Sequence, residues 1–161
     1  MKLLHGVMFL CMGLIGCAGQ RELKNDRDFF KQSVIEQIRS YPRHSVDEQL
    51  KLYFYGNQRR HPPATYLADC FALNGLHGVE RIRVTLSGPL DDLTTRDIVA
   101  LLSAMEATGQ YNVRDDHELM NVAVKHVEGM GDPNWREVAQ SDLDSIRHKG
   151  RRYDGATACR I

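Results

Sequence analysis

The sequence predicts an all-α protein of about seven helices, built either as stacked helical hairpins or as a compact multi-helix bundle. Three observations predict it. Apolar residues recur three or four apart through most of the chain between residues 28 and 149. Residues that start and stop helices stand at the ends of those stretches. The connectors are short, and the one alternating stretch, Ile82-Arg83-Val84-Thr85-Leu86, has no second strand nearby to satisfy its backbone groups, so a helix is expected there too.

Taken in order, Phe30, Val34, Ile38 and Tyr41 predict a first helix over about 28–41, ended by Pro42, which forces the residue before it out of the α region. Ser45-Val46-Asp47-Glu48 has the form of a capping box, in which serine and glutamate satisfy free amides at a helix start. Val46, Leu50, Tyr53 and Phe54 give that second helix an apolar face, with Gly56 expected to stop it. Pro63 suits the first turn of a third helix, along which Ala64, Leu67, Cys70, Phe71 and Asn74 share a side; Gly75 is expected to end it. A fourth runs from Val79 to Leu86. Thr94 or Thr95 can cap a fifth, with Ile98, Leu101, Leu102 and Met105 inward and Gly109 as its stop. Asp115-Asp116-His117-Glu118 opens a sixth, its acids at the positive end of the helix. Leu119, Met120, Ala123, Val127 and Met130 form its stripe. Asp132-Pro133 starts a seventh, with Trp135, Val138, Ala139, Leu143 and Ile146 on its face.

Alternate segments begin near residues 28, 63, 93 and 132, a spacing suited to stacked hairpins. The closing stretch, Gly131-Asp132-Pro133-Asn134-Trp135-Arg136-Glu137-Val138-Ala139 with Leu143 and Ile146, resembles a helix of a HEAT-type repeat. That resemblance implies a curved superhelix; a bundle would use the same helices.

The amino-terminal stretch has one lysine, Lys2, then the hydrophobic run Val7-Met8-Phe9-Leu10-Cys11-Met12-Gly13-Leu14-Ile15, the layout of a signal peptide rather than a spanning helix. It closes on Leu14-Ile15-Gly16-Cys17, which resembles the lipobox of bacterial lipoproteins. The resemblance implies cleavage before Cys17, diacylglycerol on its thiol and acylation of the new amino terminus. Ala18 stands where an aspartate would resemble an inner-membrane retention signal, so the implied address is the outer membrane, facing the periplasm. The organisation expected is a signal peptide over 1–16, a lipidated tether over 17–27, a helical domain over 28–149 and an irregular tail over 150–161. The polar tether reaches at most about 35 Å, which keeps the domain close to the bilayer.

The chain carries 21 basic and 21 acidic side chains, a balance that implies neither a nucleic-acid footprint nor a polybasic membrane patch. Membrane attachment then rests on the lipid. Of the four cysteines, Cys11 leaves with the signal and Cys17 carries lipid. Cys70 and Cys159 remain, either bridged, as an oxidising compartment permits, or separate, with Cys70 packed as a small hydrophobe and Cys159 free in the tail.

His44, His61, His77, His117, His126 and His148 include no pair three or four apart, so no helix offers two imidazoles to one metal ion. The acid pairs Asp91-Asp92 and Asp115-Asp116 have the chemistry of a carboxylate hydrolase, yet both stand at helix starts, where capping accounts for them. No serine sits in a Gly-x-Ser-x-Gly turn, and no phosphate-binding glycine loop occurs. No cofactor is implied. Three features suit binding. The foremost is Tyr53, Phe54, Tyr55, Asn57, Arg59, Arg60 and His61, rich in the aromatic and arginine side chains that anchor interfaces; Tyr53 and Phe54 belong to the core, leaving Tyr55, Asn57, Arg59, Arg60 and His61. The others are Arg81 and Arg83 with Glu80, and the acidic residues Asp115, Asp116, Glu118, Glu128, Asp142 and Asp144.

The expected function is thus a lipid-anchored, non-catalytic periplasmic protein that binds another protein through its helical surface, as an immunity lipoprotein or an envelope scaffold. The alternatives are a carboxylate-dependent cell-wall hydrolase and a carrier of a small ligand between helices.

Overall fold

The computed structural model describes residues 26–149 and Cys159. The signal peptide, the lipobox with Cys17, the tether as far as residue 25 and the tail apart from Cys159 lie outside the described residues. The protein is all-helical, and no strand occurs among the described residues. Among them, too, no helix is long and apolar enough to cross a membrane. The chain divides into two units, Met1–Gln37 and Ile38–Ile161.

In the first unit a helical turn covers residues 26–29, and the rings of Phe29 and Phe30 meet edge to face with centroids 4.9 Å apart. The single helix expected over 28–41 is broken. After the turn the chain leaves the helix and re-enters it as α1 (Val34–Ser40), which begins in the first unit and ends in the second, and where Ser33 acts as a cap. The amide of Ser33 donates to Glu36 Oε2 at 2.9 Å and that of Glu36 to Ser33 Oγ at 3.3 Å, a full capping box. Because the helix restarts, Val34 and Ile35 face solvent instead of continuing the face of Phe30.

The second unit holds a 3-10 turn (Tyr41–Arg43), α2 (Val46–Arg59), α3 (Leu67–Ala72), α4 (Gly75–Leu86), α5 (Asp92–Thr108), α6 (His117–Glu128) and α7 (Pro133–Lys149). α2 starts at the capping box of Ser45 and Glu48. The same four residues of a five-residue stretch, Ser-Val-x-Glu-Gln, stand at 33–37 and 45–49, and they make the same bonds. Gln37 Nε2 reaches back to Gln32 O at 2.7 Å, and Gln49 Nε2 to His44 O at 2.8 Å. Both glutamines are buried.

α2 does not stop at Gly56. Glycine inside a helix costs only about 1 kcal/mol, which packing overrides; Gly56 is buried, and α2 continues to Arg59 before the prolines end it. α3 begins at Leu67 rather than near Pro63, which lies in the connecting loop. Gly75 does not end α3 but opens α4: with φ at +52° it turns the chain between the two helices, a conformation that favours glycine.

α5 is the centre of the unit. Ile98, Leu101, Leu102 and Met105 are inaccessible, each contributing roughly 2 kcal/mol by burial. Thr95, Asp97, Val99, Glu106 and Thr108 are buried as well, so most of its circumference is covered. It packs most extensively on α7 and α3 and also meets α2, α4 and α6. One helix that touches all these neighbours is the arrangement of a bundle. Its amino end is capped by Asp91, not by Thr94 or Thr95: Asp91 Oδ1 accepts the Thr94 amide at 2.7 Å. Its carboxyl end closes at Gly109, φ +66°, with the amides of Gly109 and Gln110 donating to Glu106 O and Met105 O, both at 3.1 Å. On α7, Ala139, Leu143 and Ile146 face inward as expected, but Val138 is exposed.

Candidate functional site

The residues at the carboxyl end of α2 separate into two roles. Asn57 and Gln58 turn inward to Asp97 of α5; Arg59, Arg60 and His61 are exposed at the corner that follows. Asn57 Nδ2 donates to Asp97 Oδ1 at 2.6 Å and Gln58 Nε2 to Asp97 Oδ2 at 2.9 Å. Arg96 adds its Nε and Nη2, at 2.9 and 2.5 Å from Asp97 Oδ1, and lays its guanidinium 4.4 Å from the centre of the Trp135 ring on α7. One carboxylate thereby fastens the end of α2 to α5 and, through Arg96, to α7. Burial raises the Asp97 pKa, against the bonds from Gln58, Arg96 and Asn57 that favour its charge.

Beyond Arg60 the chain folds back, the Ala64 amide donating to Gly56 O at 3.2 Å. Tyr66, half-buried just before α3, lies close enough to feel Arg60: burial raises its pKa and the guanidinium opposes the rise. Tyr55 is half-buried on α2, one turn before Arg59. Within α3, Cys70 is joined to Cys159 by a disulfide with Cα atoms 5.2 Å apart, both residues buried. The corner is therefore held on each side, by Asp97 before it and by the disulfide shortly after it. Of the five binding candidates, Asn57 is structural, Arg59, Arg60 and His61 are exposed, and Tyr55 is intermediate.

The acid pairs are engaged in joining helices. Asp91 caps α5, while Asp92 accepts the amides of Gly131 at 3.2 Å and Asp132 at 2.6 Å, fixing the start of α5 to the α6–α7 junction. Asp115 accepts Asn112 Nδ2 at 2.6 Å. Asp116 caps α6 through the Leu119 amide at 3.1 Å and takes Tyr111 Oη at 2.7 Å and Arg83 Nη2 at 2.5 Å. Burial acts to raise its pKa, but Tyr111, the Leu119 amide and Arg83 together hold it below the usual aspartate value. Glu106, buried on α5, receives the amide of Arg114 at 3.1 Å and its Nη2 at 2.7 Å, which secures the connector to α6.

The second binding feature is taken up in pairs within the chain, as are some residues of the third. Arg81 Nε lies 2.5 Å from Asp47, Arg83 is taken by Asp116, and Glu80 faces His77 at 3.2 Å. Of the acidic set, Asp116 is turned inward and Asp144 pairs with Arg147 at 3.4 Å. His126 Nε2 donates to Leu86 O at 2.8 Å, so its role is to tie α6 to the end of α4. Among the described residues no three histidines, cysteines or acids gather as metal ligands. A groove of about 270 Å³ between the start of α2 and α4 is lined by Val46, Asp47, His77, Glu80, Arg81 and Val84, its charges paired with one another.

Gln58, Tyr66, Arg96, Asp97 and Trp135 are not among the residues that composition singles out for binding, yet they form or border the corner. A signal exists for Asp97: it interrupts the buried side of the most apolar helix, where a carboxylate must find partners. Compared with known proteins, the chain matches no family model, no curated protein and no solved structure.

Proposed function

We propose that this is a lipid-anchored, non-catalytic protein of the outer membrane that faces the periplasm and binds another protein at the Arg59-Arg60-His61 corner. The observation that carries the reading is that this exposed corner is fastened on both sides, by Asp97 and by the Cys70–Cys159 disulfide. A surface already held in place gives up little conformational freedom on association. The disulfide also suits an oxidising compartment and occupies two of the cysteines, so Cys17 is the one left for the lipid once Cys11 departs with the signal peptide. The carboxylates a hydrolase would use serve instead as caps and junctions, which favours binding over catalysis. Two roles fit: an immunity lipoprotein that neutralises a delivered toxin, and a scaffold in an envelope assembly.

Thr65 is exposed in the corner loop and Glu128 at the far end of α6, so Thr65→p-benzoylphenylalanine and Glu128→p-benzoylphenylalanine form a matched pair for photo-crosslinking in cells. A stoichiometric protein adduct from position 65 and none from 128 is expected; a toxin-like adduct selects the immunity role and a resident envelope protein the scaffold. No adduct from position 65 would overturn binding at this corner. Cys17→Ala is expected to abolish membrane association and leave unprocessed precursor, and continued membrane fractionation of the folded domain would overturn the anchor.

A further inference from the structure

We infer that α4 is a self-association surface, on which a second copy of this chain docks its own α4, antiparallel, about a twofold axis at Glu80; the surface uses no residue of the Arg59-Arg60-His61 corner. Exposure is the first argument. Leu76 and Val84, 58 % and 59 % exposed, are two of the five large apolar side chains that face solvent among the described residues. They stand eight positions apart on α4, about two turns, with Glu80 midway between them on the same side. Val46 and Asp47 of α2 border that side, where they form the groove of about 270 Å³ with His77, Glu80, Arg81 and Val84. The face is therefore aliphatic at both ends and charged at its centre.

Charge is the second argument, and it selects the occupant. The centre of the face holds acids and bases together: Asp47 lies against Arg81, and Glu80 is 3.2 Å from the His77 ring. Arg81 Nε, buried and 2.5 Å from Asp47 Oδ1, makes no directed hydrogen bond, so the guanidinium is left able to engage a second carboxylate. An acidic helix would be opposed by Asp47 and Glu80, and a basic one by Arg81. A wholly apolar helix would bury these charges without new partners. A second α4 run antiparallel meets all three objections. Half a turn about Glu80 sets Leu76 of one copy opposite Val84 of the other at both ends, and carries each Glu80 toward the other copy's Arg81. The two glutamates also approach one another, and the arginines beside them offset that repulsion.

The test uses the full-length protein in whole cells, treated with a short thiol-reactive bifunctional crosslinker, to which the bridged Cys70 and Cys159 are inert. Glu80→Cys should join to itself as a dimer of this chain, and Glu128→Cys on α6 should not. When Leu76→Cys and Val84→Cys copies are expressed together, the mixed dimer should exceed by several-fold what either gives with itself. Charge is tested on the same two backgrounds. Glu80→Arg in both copies, or Arg81→Glu in both, should lower the mixed dimer at least tenfold, whereas Glu80→Arg in one and Arg81→Glu in the other should restore it. Circular dichroism of the purified variants should match the parent, which separates lost association from lost folding. No dimer from Glu80→Cys, or an adduct to a different protein, would overturn the second copy as occupant. Leu76→Cys joining to itself as readily as to Val84→Cys, or opposite charges failing to restore the dimer, would overturn the antiparallel pairing. None of these outcomes bears on the adduct from position 65, so this inference and binding at the corner fail separately.

Discussion

Asn57 and Asp97, forty residues apart in sequence, meet at 2.6 Å, and this bond converts the end of one helix into a fixed corner. The carboxylate is inaccessible to solvent and receives two side-chain amides and a guanidinium. Removing it strands three polar groups at once. Asp97→Ala is expected to cost about 3 kcal/mol, measured as a lower urea midpoint. Asp97→Asn should cost less, since part of the carboxylate's burial is itself unfavourable.

That unfavourable part has a pH signature. The folded pKa of Asp97 lies above its ordinary 3.8, so the stability it contributes is fullest below that value and lost as the pH rises through the folded pKa. The stability gap between the parent and Asp97→Asn should therefore narrow as the pH rises from strongly acidic to neutral. A gap that widens over that range would contradict the assignment.

Asp116 should behave in the opposite sense. Its folded pKa is below the ordinary 3.8, so its contribution is present above that value and lost as the pH falls through the folded pKa. Asp116→Asn is expected to cost about 1–2 kcal/mol at neutral pH, for the weakened cap and the pairing with Arg83 and Tyr111, and close to nothing in strong acid. Thermal melts of parent and variant across pH 2–7 provide the comparison.

Gln49 joins more of the unit than its place on α2 implies. Its amide donates to His44 O, its Oε1 accepts Asn74 Nδ2 at 2.7 Å between α3 and α4, and its backbone carbonyl accepts the buried Tyr41 hydroxyl at 2.7 Å. Gln49→Leu retains bulk but leaves His44 O and Asn74 without those partners, and should destabilise by about 2 kcal/mol in denaturant titrations.

Cys70 and Cys159 enclose a sequence separation of 89, and in the chain-entropy view such a crosslink stabilises by about 4–5 kcal/mol. Cys70→Ser with Cys159→Ser should lose a corresponding part of the unfolding free energy. Alkylation without reduction should leave both cysteines unmodified in the parent, and modification of both would contradict the bridge.

The helical class and most of its boundaries are legible because they depend on local patterns: apolar spacing, the Ser45 box, Gly109 and Asp132-Pro133. The capping box at Ser33 has the same letters as that at Ser45 but is obscured by the apolar spacing of Phe30, Val34, Ile38 and Tyr41, which reads as one uninterrupted helix. Gly56 illustrates the reverse error, a local stop signal outweighed by packing. At the corner, Arg59, Arg60 and His61 are identifiable from composition. Asn57 reads as a surface residue because the group that captures it lies on α5, and no local pattern links them. The grouping of Trp135, Arg96 and Asp97 is hidden for the same reason: it exists only after α2, α5 and α7 have packed.

The bridge between Cys70 and Cys159 also determines how the domain bears mechanical load. It closes a covalent ring containing α3 through α7, and the proposed anchor lies on the amino-terminal side of that ring. Tension from a bilayer would reach α2 before the ring and could peel that helix away, but it could not extend the chain enclosed between the two cysteines. A pulled molecule should therefore lengthen by far less than its full contour until a reductant is added.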